Sequence, residues 1–453
     1  MTALAATWRT LRANFSPLSY PNFRTYLGGQ AISLIGTWLQ VTAQAWVVWQ
    51  LTQSESALGV VSMLNALPLL MFSLNAGVWV DRIDRRKLLI ATQLASMVLA
   101  FILAALTQTG LVQVWHIYVL SFSLGLVNAL DLPAQQTFLG DLTGMADVRK
   151  AVNLNVTIIQ VSRILGPALA GLVVARIGVA PAFWLNGLSF LAVIASLIVV
   201  RAAQQVKPRA NQGQFQQIAE AVKYLRTQPR LMDVFLFAIL LTFFVFSIIM
   251  NILPAVASKL LGGDAATLGL LLSSSGAGAL VSVVVIVPLV QTLKRSGIVM
   301  LAGLFWLAFW LTIFAHSRVI GLSMGSLFMG SLGAPTVMTM AMGLVQIMAP
   351  ADMRGRLISF FTLISFGTQP VAALWIGQSA QILGVDNAIQ INAILLALGA
   401  GLFLVLRPAV MRYEYAKGDA AAPPAMEILG TEGFGEIPDR MAERASVEEV
   451  AAP

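Results

Sequence analysis

The sequence contains no cysteine, and charged residues make up only 11% of its 453 positions. The absence of cysteine excludes disulfides and thiolate metal sites. Soluble globular chains carry about 25% charged residues, so this composition argues against a water-soluble protein. The sequence also lacks a metal-spaced histidine cluster, a G-x4-G-K-[ST] phosphate loop and a G-x-S-x-G nucleophile elbow. We therefore expect neither an enzyme nor a bound cofactor.

Apolar residues dominate the chain. Hydrophobic residues make up 58% of it, and the mean hydropathy is +0.82. A helix needs about 20 mostly apolar residues to cross a hydrocarbon layer about 30 Å thick, and the alternating segments of about 10 residues that build membrane barrels are absent from the sequence. We predict an all-α integral membrane protein with twelve transmembrane helices. The predicted spans, numbered 1 to 12, cover residues 24–50, 56–80, 87–108, 113–137, 151–176, 179–201, 231–258, 265–291, 297–316, 318–344, 356–382 and 388–410.

Basic residues predict the orientation of these spans. The net charge is +8, which on a soluble protein would suggest nucleic-acid binding. Here the lysines and arginines lie mostly in loops, and we expect no nucleic-acid partner. The loops on the side of the N-terminus hold most of them, whereas the opposite side holds Arg176, Lys259 and Arg318. Because basic loops stay in the cytoplasm, we expect both termini and the central linker there.

The two halves of the sequence repeat each other. Ala146–Arg149 before span 5 returns as Ala351–Arg354 before span 11, and Gly178 after span 5 returns as Gly384 after span 11. This arrangement indicates a parallel repeat about an axis along the membrane normal. We divide the chain into a cytoplasmic N-terminal segment, a six-helix bundle, a cytoplasmic linker, a second six-helix bundle and a disordered acidic tail. Their boundaries are 1–23, 24–201, 202–230, 231–410 and 411–453.

The short stretch between spans 2 and 3 carries charges of both signs and fits the pattern G-x3-D-R-x2-R-R, which resembles the loop motif of the major facilitator superfamily. A second stretch, Arg163–Gly171 in span 5, resembles the Gly-Pro motif of exporters in that superfamily. Three further phrases are similar to its enterobactin-exporter-like branch, which includes macrolide-efflux relatives. They are Ser33–Trp38, Asp131–Ala134 and Arg354–Arg356.

The resemblance implies the major facilitator fold, with two pseudo-symmetric six-helix bundles in the bacterial inner membrane. It also implies that the loop motif is a conformational latch. Gly77 would let span 2 approach span 11, Asp81 would accept hydrogen bonds at the N-terminus of span 11, and Arg85 would reach Asp131 or Asp141 of span 4. The alternative is a solvated basic loop that obeys the positive-inside rule. The latch residues are Gly77, Asp81, Arg82, Arg85, Arg86 and Asp131.

Polar residues inside the spans are costly in lipid, so we expect them to face protein or a watery cavity. Span 1 places a polar stripe on one helical face, which lines a cavity or bonds neighbouring helices. Asp131 and Arg163 are charged residues well inside spans. They pair with each other, or Asp131 binds Arg85. The stripe contains Gln30, Ser33, Thr37, Gln40 and Gln44. The substrate-cavity candidates are Gln30, Thr37, Gln40, Gln44, Asn128, Gln160, Arg163, Asn251 and Gln369.

Two roles are open for Arg163. It is a cavity-facing cation for anionic substrate groups or part of a proton relay, or else it packs span 5 through hydrogen bonds to backbone carbonyls. Close to it lies a predicted helix-packing motif, in which Pro167 bends the helix while Gly166 and Gly171 permit tight contact with a neighbour.

These observations predict a monomeric secondary transporter that exports a small amphipathic organic compound, siderophore or drug-like, by alternating access of the two bundles. We expect proton antiport with Asp131 as the proton carrier, with uniport or a different coupling ion as the alternative, and membrane lipids as the surroundings. Two alternatives stay open. One is a lipid or lysolipid flippase, and the other is a membrane receptor or scaffold that transports nothing.

Overall fold

A computed structural model describes residues 15–80, 83–200, 214–293, 295–350 and 353–412, without the side chains of residues 73–79, 145–146, 214–218, 410 and 412. Within these described residues, twelve helices are long and apolar enough to cross a membrane. This confirms the all-helical, twelve-span prediction, and most predicted ends lie within one helical turn of the observed ones. The spans are Pro21–Thr52, Glu55–Val80, Arg85–Gln108, Val114–Gly144, Asp147–Ile177, Ala180–Val199, Pro229–Asn251, Ala265–Gln291, Ser296–His316, Ile320–Met348, Arg354–Leu383 and Val385–Leu406.

The surface of the bundle is apolar because it faces lipid. Val199 is 69% exposed and Leu398 is 63% exposed, although both lie on transmembrane helices. The interior is closely packed, and Tyr26 and Phe138 meet edge to face with ring centroids 5.3 Å apart. We call the face that carries residues 15–20 and 407–412 the termini face, and the opposite face the distal face.

Span 4 extends further than the sequence predicts. Its helix continues from the predicted end at residue 137 to Gly144, where φ of 69° marks the kink into span 5. Phe138, Leu139 and Leu142 lie on one helical face and are buried in the core of the first half. Burial of this stripe stabilises the extra helical turns.

The internal repeat is visible in the backbone. Gly178 ends span 5 and Gly384 ends span 11, and both have positive φ, 90° and 89° respectively. A side chain would be strained in this left-handed region, which explains glycine at both positions. The shared conformation means that the fifth and eleventh spans end in the same way.

The linker contains a helix, Gln214–Thr227, that packs on protein. Ala221 and Leu225 are buried and belong to the core that includes span 7 and span 11 residues. Glu220 forms an ion pair with Arg356 near the start of span 11. This part of the linker is therefore docked on the second half. Residues 202–213 and the tail from 413 onward lie outside the described residues.

Glycines let four helices cross with their backbones in contact. A Cβ on Gly59 of span 2 would lie 2.4 Å from the carbonyl oxygen of Ala373 in span 11, and one on Gly269 of span 8 would lie 2.5 Å from that of Pro167 in span 5. Side chains at these positions would force the helices apart. Spans 2 and 11, and spans 5 and 8, thus form two close crossings between the halves.

The predicted packing motif of span 5 contacts two neighbours. Gly166 faces span 1, where an added Cβ would lie 2.4 Å from the Cβ of Trp38, and Gly171 faces Ala266 at the start of span 8. Pro167 has no N–H to donate to the carbonyl of Arg163. The following carbonyl, that of Ile164, accepts a hydrogen bond of 2.8 Å from Ser273 of span 8.

We predict that Gly166→Ala lowers the free energy of unfolding by about 1–3 kcal/mol, because the methyl group overpacks the contact with Trp38. Gly28→Ala is the matched control, since nothing lies within 4 Å of a Cβ on that helical glycine. Both variants are unfolded in the same detergent mixture. Equal stabilities of the two variants would contradict the close crossing of spans 1 and 5.

Candidate functional site

A small pocket lies between spans 2, 7 and 11, where the two halves meet. Its cavity volume is about 50 Å³. On the distal side it is bounded by the contact of Gly59 with Gly377, and towards the termini face by the contact of Leu70 with Gly367. Its walls are apolar and weakly polar, without a charged side chain. They consist of Ser62, Ala66, Phe246, Ser247, Met250, Asn251, Gln369 and Ala373.

Both helices on the second-half side of the pocket are interrupted there. Span 7 contains a π-helical turn, Thr242–Phe246, and span 11 is interrupted at Thr368. The hydroxyl groups of Thr242 and Thr368 are 2.9 Å apart and share a hydrogen bond. Interrupted helices free backbone groups for other contacts and occur where transporters bind their cargo.

Asn251 is the pocket residue whose hydrogen bonding is incomplete. Its Nδ2 donates to the carbonyl of Ser247 over 2.7 Å, while its Oδ1 is buried and has no partner within the described residues. A buried acceptor without a donor is unfavourable by about 1–3 kcal/mol. A ligand O–H or N–H in the pocket would satisfy it. The structure brings Asn251 together with Gln369, as two of the predicted cavity residues.

The polar stripe of span 1 lies elsewhere and joins helices of the first half. Gln40 Oε1 accepts a hydrogen bond of 2.7 Å from Asn186 of span 6, and Gln44 Nε2 donates over 2.9 Å to Ser121 of span 4. Gln30 Nε2 donates to Gln135. Thr37 bonds the carbonyl of Ser33 in its own helix. Of the two interpretations of the stripe, these contacts fit the bonding of neighbouring helices.

Arg163 occupies the middle of span 5 beside an aromatic ring. Its guanidinium carbon lies 5.2 Å from the ring centroid of Trp38, a cation–π contact. Its Nη1 also lies 3.4 Å from Gln160 Oε1. No carboxylate within the described residues forms an ion pair with it. Asn128 is half-buried in span 4 and is not part of the pocket wall.

Asp131 binds neutral groups. The predicted pairings of Asp131 with Arg163 and with Arg85 are therefore both wrong. Its carboxylate accepts hydrogen bonds from Thr92 over 2.5 Å, from Gln93 over 3.1 Å and from Gln135. It is 6% exposed. Because span 4 reaches Gly144, Asp131 lies about three and a half turns inside the helix, where spans 3 and 4 supply its partners and neither Arg85 nor Arg163 reaches it.

The described part of the latch motif is anchored within the first half. Arg85 Nη1 lies 2.9 Å from both carboxylate oxygens of Asp141, and both side chains are buried. Arg86 donates to the carbonyls of Leu197 and Ile198 at the C-terminal end of span 6, where a cation is favoured. Of the two carboxylates proposed for Arg85, Asp141 is the partner.

Asp84 caps span 3 within the same motif. Its carboxylate accepts a hydrogen bond of 3.0 Å from the backbone N–H of Lys87. Asp81 and Arg82 lie outside the described residues, and so do the contacts of Gly77. Their predicted latch role therefore stays a prediction.

The ion pair between Glu55 and Lys259 was not predicted from the sequence. Glu55, at the start of span 2, is fully buried, and its Oε1 lies 2.7 Å from Nζ of Lys259, which lies in Val256–Leu260, the helical extension of span 7 at the distal face. The two residues are 204 positions apart, so no local spacing links them. The available signals were an acid at the distal end of a span and a basic residue on the side where few occur.

Comparison with known proteins agrees with this architecture. A profile of the family described as transmembrane secretion effector matches residues 12–429. The chain belongs to this family of the major facilitator superfamily, and its curated relatives are multi-pass membrane transporters.

Three curated relatives have low identity to the chain. The MFS-type transporter YfiS of Bacillus subtilis (strain 168) is 27% identical over 48% of this chain and 52% of its own length. The staphyloferrin A transporter of Staphylococcus aureus (strain NCTC 8325 / PS 47) is 23% identical over 60% of this chain and 68% of its own. Macrolide efflux protein A of Streptococcus pyogenes is 28% identical over 33% and 37% respectively. The chain thus spans about half the length of the first relative.

Solved structures share the fold. A bacterial homologue of the human lysosomal transporter Spinster, inward-facing and unoccupied, has a TM-score of 0.66 at 9% identity, covering 89% of this chain and 99% of that one. A mutant of the peptide transporter POT has a TM-score of 0.70 at 13% identity, covering 87% and 95%. At these identities the likeness establishes the major facilitator fold alone.

We predict that Arg85→Gln lowers the free energy of unfolding by about 3–5 kcal/mol, because Asp141 then keeps a buried charge without the guanidinium of Arg85. Lys87→Gln is the control, since Lys87 is exposed and exposed charges contribute about 0–1 kcal/mol. Unfolding is followed in detergent. If both variants lost the same small amount, the ion pair would not stabilise this end of the protein.

Proposed function

We propose that this transporter exports a small amphipathic organic compound across the bacterial inner membrane by alternating access of its two halves. Both termini and the linker face the cytoplasm in this proposal, because the basic residues concentrate on the termini face. Cargo enters from the cytoplasm and leaves at the distal face. Neither ATP nor a cofactor takes part.

The observation that carries the proposal is the pocket at the interrupted parts of spans 7 and 11. A site between two moving halves is exposed to each side in turn when they rock. The walls offer an aromatic ring, Phe246, an adaptable side chain, Met250, and neutral amides. These groups suit a cargo that combines apolar surface with hydrogen-bond donors, one of which pairs with the free oxygen of Asn251.

Arg163 supports a cargo with an anionic group. A cation at membrane depth is stabilised by pairing or by facing water, and Trp38 provides only a cation–π contact. Arg163 does not line the pocket, so a carboxylate on the cargo would pair with it at another point of the path through the protein. The names of two relatives, a staphyloferrin A transporter and a macrolide efflux protein, point to siderophores and lipophilic drugs as the first compounds to test.

Asp131 is the proposed proton carrier. The carboxylate is buried in span 4 and bound by hydroxyl and amide groups, so protonation breaks no ion pair within the described residues. In the proposed antiport, a proton from outside binds a carboxylate oxygen of Asp131 and is released to the cytoplasm while cargo moves outward. Loss of the charge lowers the cost of keeping this group in the membrane interior.

Proton coupling is tested with Asp131→Asn in inverted vesicles with an acidic interior. Staphyloferrin A and a macrolide are the probes. We expect the variant to accumulate the transported probe only to the level seen without a pH gradient, since asparagine cannot carry the proton, while cargo exchange at equal pH persists. Asp147→Asn, a carboxylate bound to Lys150 at the termini face, should accumulate the probe as the parent does. Gradient-driven accumulation by Asp131→Asn would contradict proton carriage by Asp131.

The pocket is tested with Asn251→Leu. We expect KM for the transported probe to rise about fivefold, the equivalent of one hydrogen bond of about 1 kcal/mol. The matched control is Asn392→Leu. Asn392 is buried in span 12, also donates to the carbonyl four residues earlier and also has an unpartnered Oδ1, but it does not line the pocket. An unchanged KM in Asn251→Leu, or an equal rise in Asn392→Leu, would place the cargo elsewhere.

A further inference from the structure

We propose that Glu55, Lys259 and Gln381 form a lock, here called the distal lock, that holds the two halves together at the distal face. The lock would set the balance between the state closed at this face and the state open to it. The inference rests on the alternating access proposed above, although its test needs neither cargo nor a proton gradient.

The distal lock joins one span of the first half to two spans of the second. Glu55 Oε1 lies 2.7 Å from Lys259 Nζ. Gln381 Oε1, near the end of span 11, accepts hydrogen bonds from the backbone N–H of Glu55 over 3.1 Å and from Oγ of Ser54 over 2.9 Å. The ammonium of Lys259 also lies 5.1 Å from the ring centroid of Trp49. These groups cross from one half to the other.

The backbone beneath the lock is equally close. A Cβ on Gly377 would lie 2.8 Å from the carbonyl oxygen of Glu55 and 3.3 Å from Cα of Gly59. Because Gly59 and Gly377 lack side chains, the backbones of spans 2 and 11 are in contact here. The pocket therefore has no opening to the distal face along this crossing. Opening that face requires spans 2 and 11 to part, and parting them separates Glu55 from Lys259.

The exposure of the two charges is unequal, and this determines how variants should behave. Glu55 has no exposed surface, and its Oε2 has no hydrogen-bond partner within the described residues, whereas the side chain of Lys259 is 47% exposed. A buried charge that loses its partner is far less favourable than a buried neutral group. Removing Lys259 alone therefore penalises the closed state, because Glu55 stays charged in a dry site. Removing both charges relieves that penalty.

The experiment measures the width of the distal face directly. Because the sequence has no cysteine, Leu111→Cys and Val319→Cys place two spin labels at defined positions, one on each half. Both positions are on distal loops, are more than 60% exposed and lie outside the lock. Pulsed electron–electron resonance in lipid nanodiscs gives the distribution of distances between the labels, and thus the ratio of open to closed molecules.

Lys259→Gln should raise the ratio of open to closed molecules about tenfold. Glu55→Gln and the double variant Glu55→Gln/Lys259→Gln should stay within about threefold of the parent, which makes the two substitutions strongly non-additive. Lys259→Arg keeps the charge and should match the parent. If Lys259→Gln failed to fold while the double variant folded, the unpaired Glu55 charge would again be the cause and the lock would be supported.

Arg318→Gln is the matched control. Arg318 pairs with Asp386 over 2.9 Å at the same distal face, but both residues belong to the second half. Its removal should leave the distances unchanged. The lock is overturned if Lys259→Gln has the parent distribution, if the double variant is as open as Lys259→Gln, or if Arg318→Gln opens the face equally. The variants could behave as expected while the protein transports neither staphyloferrin A nor a macrolide. That result would support the lock and overturn the proposed cargo.

Discussion

Close contact between helix backbones is the constraint on which this protein depends. Spans 2 and 11 meet at Gly59 and Gly377. Spans 5 and 8 meet at Gly171 and Gly269. Because glycine lacks a side chain, the helix backbones touch at both places. Lipid offers no hydrophobic force to press helices together, so association relies on packing at such small residues. The two crossings join the halves, and the pocket and the distal ion pair both lie along the crossing of spans 2 and 11.

The second constraint is that buried polar groups need hydrogen-bond or charge partners. The groups that lack such partners are informative. In a membrane interior, buried polar atoms are stabilised by partners. Asp131 has three hydrogen-bond donors, Arg85 has the carboxylate of Asp141, and Gln40 has Asn186. Among the exceptions within the described residues, Asn251 keeps a free acceptor in the pocket and Arg163 lacks a carboxylate. We propose that these two groups bind the cargo.

Composition and run lengths predict the twelve spans, because the thickness of the bilayer dictates how long an apolar helix must be. Contacts between distant helices were harder to predict. The 3- and 4-residue spacing of the span-1 stripe fixes which face is polar, but not that Gln40 meets Asn186. The predicted end of span 4 at residue 137 leaves Asp131 about two turns from that end, whereas the helix continues to Gly144. No local spacing links Glu55 with Lys259, since their pairing follows from how the halves dock.

The pocket between the halves is the proposed binding site of the cargo. Ser62→Cys introduces a thiol into its wall, and Ser123→Cys introduces one on span 4 away from it. The rate of alkylation by N-ethylmaleimide is measured with and without a compound that vesicles containing the protein accumulate. A compound bound in the pocket should slow alkylation at position 62 and leave position 123 unaffected. Equal rates at position 62 with and without a transported compound would contradict it.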